Sequence, residues 1–173
     1  TFLLIVLGGI VRVSESGLGC GPGGSGTEGW PLCGGRVLPF LETNAIIEFS
    51  HRIAATIVAV LIAALVVVAW RRLRTRPAIV RLSIAAAVLV LAQAALGGLT
   101  VEQGLHEYLV AAHLGLAMVL LGVLIALWRL ARPEQPAVAA PPLLRRLTLV
   151  SLGLVLATIV AGGLVAGTEG EGT

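Results

Sequence analysis

From Ile53 to Trp70 the chain runs eighteen residues without an ionisable side chain. As a helix this stretch is about 27 Å long, close to the ~30 Å hydrocarbon core of a bilayer. Three more apolar runs follow, at about Ile79 to Val101, His106 to Trp128 and Leu147 to Gly167. A backbone in lipid must satisfy its own hydrogen bonds, so each run is predicted to be a helix. The chain is 57% hydrophobic, with a mean hydropathy of +1.00. Soluble domains sit near ~45–50%. The expected fold is an all-α, polytopic transmembrane helical bundle.

Residues 1–131 read as a first four-helix unit. Its opening run, Thr1 to Val13, is too short to span a membrane and starts without Met or a basic leader. It reads as a truncated helix in a fragment. Residues 14–43 form a Gly-rich loop with both cysteines. Residues 132–146 are a linker holding Pro133, Pro136, Pro141 and Pro142, predicted to be extended. Residues 147–173 are a fifth helix, breaking off at Thr168 to Thr173. Gly8-Gly9-Ile10-Val11 and Gly162-Gly163-Leu164-Val165 are each followed by Ser or Thr, Glu and Gly. The fifth helix therefore reads as the start of a second repeat. Glycine pairs are also common wherever helices pack closely, and that reading stands beside the first.

The net charge is +3 and all twelve basic residues are arginine. Nine of them flank two connections: Arg71, Arg72, Arg74, Arg76 and Arg81 around the second-to-third, and Arg129, Arg132, Arg145 and Arg146 around the fourth-to-fifth. The positive-inside rule makes these connections cytoplasmic and the cysteine loop external, in a multi-pass protein of the plasma membrane. The basic residues form no aromatic-interleaved patch, so the partner is the lipid bilayer and not a nucleic acid. Cys20 and Cys33 share the external loop, where a disulfide would persist. Two unpaired thiols are the alternative. A metal site is a poor fit for two sulfurs without a histidine.

Glu48 and His51 stand at i and i+3 at the head of the second segment, on one helix face. Ionisable groups at membrane depth mark functional sites. On the expected topology His113, two turns into the fourth segment, lies at the depth of His51. Two imidazoles on different helices at one depth suit axial ligation of a haem iron. Hydrogen bonding across the bundle is the other use of such a pair. His106 sits at the water boundary beside Glu107. A di-iron carboxylate centre needs two Glu-x-x-His motifs, and the chain has only Glu48-Phe49-Ser50-His51. Arg12 and Arg52 either snorkel to headgroups or pair with haem propionates. Gln93 is a mid-segment polar group suited to helix–helix hydrogen bonding. Glu48 is the candidate for proton transfer.

Gly8-Gly9-Ile10-Val11-Arg12, Ser16-Gly17-Leu18-Gly19-Cys20, Trp30-Pro31-Leu32-Cys33 and Glu48-Phe49-Ser50-His51-Arg52 together resemble the haem A synthase family. Gln93, Gly97-Gly98-Leu99-Thr100-Val101 and Ala112-His113-Leu114 extend the resemblance through the third and fourth segments. It implies an eight-helix membrane oxidoreductase of two similar halves. Such an enzyme converts the methyl group of haem O to the formyl group of haem A. This half would hold the substrate haem between His51 and His113, with Glu48 essential to the oxidation and Cys20 and Cys33 as the external pair. A haem b belongs to the other half. Partners would include haem O synthase and the assembly pathway of a terminal oxidase. The chain departs from the pattern in the longer spacing between its cysteines, through Gly21 to Gly29, and after Thr168, where a Gly-Pro-His stretch is usual. A bis-His haem b electron carrier without substrate chemistry is the rival function, and a cofactor-free scaffold the third.

Overall fold

The computed structural model describes residues 1–21, 25–26, 30–33, 35–36, 41–132 and 141–168. The linker predicted for 132–146 falls largely at 133–140, outside the described residues, as do 169–173 and much of the stretch between the cysteines.

Among the described residues five α-helices follow the apolar runs: α1, Phe2–Val13; α2, Thr43–Arg72; α3, Pro77–Glu102; α4, Glu107–Ala131; and α5, Pro142–Thr168. Four of them, α2 to α5, are long and apolar enough to cross a membrane, while α1 is shorter. Proline opens both α3 and α5, where its missing N–H costs nothing and its fixed φ suits the first helical position. This explains why α5 starts five residues before Leu147. Arg145 and Arg146 lie inside its first turns, where long basic side chains reach the headgroups while the backbone stays helical. The only strands among the described residues are β1, Ser25–Gly26, and β2, Trp30–Pro31, a two-residue parallel pair in the loop.

Each helix packs against its sequence neighbours, α1 on α2, α2 on α3, α3 on α4 and α4 on α5, and α1 also reaches α4. The buried apolar core is Ile62 and Ala69 of α2, Ile79 and Ala86 of α3, and Leu120 and Leu127 of α4. These positions fill the halves of the three helices remote from the cysteine loop. At that remote end arginines cap helix termini. The Arg76 guanidinium donates to the Leu130 carbonyl (2.7 Å), and Arg132 lies 3.7 Å over the Trp128 ring.

At the loop end the contacts are of another kind. A 3₁₀ turn at Ser16–Leu18 lies against α1 and α2. The α3–α4 connection turns through Gly104 and Leu105, both at positive φ, and puts the Leu105 side chain against Gly17. The fifth helix joins α4 through small residues: a Cβ on Gly163 would stand 2.9 Å from the Ala111 Cα, and one on Gly115 3.4 Å from Val160. Such residues let two backbones approach closely in lipid.

Candidate functional site

The polar residues gather at the loop end. His51 lies eight residues from the start of α2 and His113 six from the start of α4, about 12 and 9 Å of helix rise respectively. Counted from the loop ends of their helices, the two positions thus differ by about 3 Å of rise.

Each ring rests on a glycine of the preceding helix. A Cβ on Gly8 of α1 would come within 3.1 Å of His51 Cε1, and one on Gly97 of α3 within 3.3 Å of His113 Cε1. Any larger residue at either place would fill the space the imidazole occupies. In the sequence Gly8 belongs to a repeat signature and both glycines to the motifs of the family resemblance, with close packing as the other reading, and none of these marks them as seats for the imidazoles. The available signal was their own depth, five residues from the loop end of their helices in both cases. Each ring's Nδ1 is buried without a hydrogen-bond partner. A buried imidazole nitrogen left so is costly, and an interaction of the ring with a ligand is one way to offset that cost.

Gln93, 9% exposed, reaches across from α3 and its Nε2 donates to the His113 backbone carbonyl at 3.0 Å. This is the expected helix–helix hydrogen bond, made to the backbone of the residue of interest. Its Oε1 stays buried and unpartnered.

Glu48 is 4% exposed and both its oxygens are engaged. Oε1 pairs with the Arg52 guanidinium one turn along α2. Oε2 accepts the backbone N–H of Cys20 at 2.8 Å. Arg52 also donates from Nη1 to the Leu32 carbonyl at 2.7 Å. Cys20 and Cys33 are joined in a disulfide, packed with Ala45 and Phe49 on the first turns of α2. The charged pair at the head of α2 thus fastens the cysteine loop to the bundle. Arg12 and Arg52 part company here. Arg52 is engaged by α2 and the loop, whereas the Arg12 side chain makes no ion pair or hydrogen bond among the described residues. His106 precedes α4, exposed, with its ring 5.5 Å from Tyr108.

Arranged this way, the loop end presents two imidazoles from α2 and α4, each seated against a glycine, a carboxylate one turn from the first, and a guanidinium on α1. Imidazoles on two helices are the donor set of a six-coordinate haem iron.

Comparison with known proteins gives the same direction. The family profile for cytochrome oxidase assembly proteins, COX15-CtaA, matches residues 40–171. A haem A synthase of Halalkalibacterium halodurans is 30% identical over 174 residues, covering 96% of this chain and 56% of that protein. Those of Alkalihalophilus pseudofirmus and Shouchella clausii are 37% and 33% identical, over 75% of this chain and 42% and 41% of theirs. The chain thus spans about half the length, or less, of these relatives. No solved structure gives a significant match.

Proposed function

Because the chain belongs to the COX15-CtaA family of cytochrome oxidase assembly proteins, we propose that it is the substrate-holding part of a haem A synthase, an oxidoreductase that converts the methyl group of haem O to the formyl group of haem A. The observation that carries this reading is the depth-matched pair His51 and His113, each ring backed by a glycine and each Nδ1 buried without a partner. Haem is the substrate here. His51 and His113 would supply the nitrogen donors that hold its iron. Arg12 pairs with a propionate at the loop end, with Arg52 close by in the wall of the site. Glu48 takes up a proton as the methyl carbon is oxidised, and its fixed place beside His51 gives that transfer its direction. Turning the methyl into a formyl group takes its oxygen from water and releases about four electrons and as many protons; the electrons leave toward an acceptor, and a haem b relay is proposed for the part of the relatives' length that this chain does not span.

The arginine-flanked connections face the cytoplasm and the disulfide loop faces outward, in the plasma membrane. Haem O synthase as donor and a terminal oxidase assembly route as recipient are the matching partners. A bis-His haem b electron carrier would use the two imidazoles but has no role for the Glu48–Arg52 pair and the loop it holds.

Expression of the full-length protein beside a haem O source, with mass analysis of extracted haem, tests the proposal. Formyl-haem is expected, and its loss in His51→Ala, His113→Ala and Glu48→Ala. A parental rate of formyl-haem production in Glu48→Ala removes the role given to Glu48. Tightly held haem b with no conversion turns the reading to the electron carrier.

A further inference from the structure

The two oxygens of Glu48 are held differently. The tie to Arg52 lies within α2, between residues one turn apart, and Arg52 is itself held by the Leu32 carbonyl. The tie to the Cys20 amide comes from a segment twenty-eight residues earlier and fixes the direction in which the carboxylate points.

Cys20 is kept there by several restraints, packing on Ala45 and Phe49 among them. Gly19 lies so near the first turn of α2 that a Cβ would stand 2.4 Å from the Asn44 carbonyl carbon and oxygen, so only glycine lets the chain pass. Ser16 Oγ donates to Asn44 Oδ1 at 3.3 Å. The 3₁₀ turn before Cys20 also lies against α1 and α2 and meets Leu105 at Gly17, and the disulfide to Cys33 adds the restraint that spans the cysteine loop. Cys33 is itself held because Arg52 grips the Leu32 carbonyl next to it and because Cys33 and Arg36 exchange backbone hydrogen bonds. The result is a closed circuit: Glu48 to Arg52, Arg52 to Leu32, Leu32 to Cys33, Cys33 through sulfur to Cys20, and Cys20 back to Glu48. Four of the links are non-covalent contacts or neighbouring peptide bonds around α2, and the S–S bond is what closes them.

The same bond is shielded. Cys33 has no exposed surface and Cys20 is 5% exposed. Thiol–disulfide exchange needs a thiolate to reach a sulfur in line with the bond, and neither sulfur offers that approach in the folded protein.

We propose that the Cys20–Cys33 disulfide is a positioning element for Glu48: it keeps the Cys20 amide on the carboxylate and so aims the acid, and it does this as a closed bond that is not reduced and reformed during turnover. The inference rests on Glu48 serving the oxidation.

The test uses the full-length protein in detergent or membranes, with Cys20→Ser/Cys33→Ser, Gly19→Ala, Glu48→Gln and the combination of the first and third. The infrared carboxylate band that disappears in Glu48→Gln identifies Glu48. That band shifts in the double serine variant, and in Gly19→Ala, which pushes the loop off α2 while the disulfide stays intact. Turnover falls about ten-fold or more with KM unchanged, the factor expected for one hydrogen bond to a charged group. In the Glu48→Gln background, loss of the disulfide adds nothing. Millimolar dithiothreitol leaves no alkylatable loop thiols until the protein is unfolded. An unshifted Glu48 band in both loop variants overturns the proposal, as do free thiols that come and go with turnover. Should Glu48→Gln retain the parental rate, it is the catalytic reading that fails, while the infrared and alkylation results still decide whether the disulfide aims the carboxylate.

Discussion

Adding one methyl group behind each imidazole measures how tightly the site is built. In Gly8→Ala the new Cβ lies 3.1 Å from His51 Cε1, and in Gly97→Ala it lies 3.3 Å from His113 Cε1. Both are tighter than ordinary carbon contacts of about 3.5–4.0 Å, so the ring must move by a few tenths of an ångström. Gly9→Ala is the internal reference: it adjoins Gly8 on α1, and its Cβ meets nothing within 4 Å. Replacing a helical glycine by alanine gains up to about 1 kcal/mol of backbone stability wherever there is room. Overpacking costs about 1–3 kcal/mol. Gly9→Ala is therefore expected to be neutral or stabilising, and Gly8→Ala to lie about 1–3 kcal/mol below it. If the same displacement is felt by the bound iron, haem affinity falls about five- to a hundred-fold in Gly8→Ala relative to Gly9→Ala. Gly97→Ala is expected to show the smaller effect of the two close positions. The assay is haem titration of the purified apoprotein followed at the Soret band, with low-temperature EPR to register the altered axial geometry. Identical titrations for Gly8→Ala and Gly9→Ala would refute the claim that the His51 ring leans on α1 at this point.

Glu48→Ala should destabilise the protein by about 1–3 kcal/mol, because it removes the carboxylate that pairs with Arg52 and leaves the buried Cys20 amide without its acceptor. Thermal unfolding checks this, and an unchanged midpoint would show the pair to be dispensable. Gln93→Leu exchanges a half-satisfied amide for an apolar side chain, so the lost bond to the His113 carbonyl is offset by removal of the orphaned Oε1. The net change should stay within about 1 kcal/mol, and a loss above ~3 kcal/mol would mean that Oε1 has an essential partner. Gly163→Ala forces α5 off the α4 backbone at Ala111, and crosslinking between Gly115→Cys and Val160→Cys should drop accordingly. Undiminished crosslinking would place α5 elsewhere.

The spans were legible because lipid admits so few backbone solutions, and an eighteen-residue run such as Ile53 to Trp70 has only one. The boundary of α5 was not. Arginine reads as loop on charge alone, but Pro142 starts a helix and the flexible stems of Arg145 and Arg146 let it continue through them. Glu48, His51 and His113 announced themselves as ionisable groups in apolar surroundings. What Glu48 touches did not, since a backbone amide such as that of Cys20 carries no residue signature and lies far away in sequence. Gln93 was legible as a helix–helix donor but not in its acceptor, again a main-chain atom. In the sequence the glycine pairs fit a repeat and close helix approach alike. Gly163 serves close approach, whereas Gly8 and Gly97 make room for a side chain, a distinction visible only once the facing residue is known.

The lopsided distribution of the core has its own consequence. With Ile62, Ala69, Ile79, Ala86, Leu120 and Leu127 knitted together at one extremity, the bundle resembles a clothes-peg, sprung at the base and separable at the jaws. A flat, rigid guest entering sideways from the lipid would part α1 and α2 from α3 and α4 and break the loop's contacts across the gap, Leu105 on Gly17 and β2 on α3, without disturbing the spring. Regions with few apolar contacts open first, so admission of the guest should be quicker than any loosening of the base.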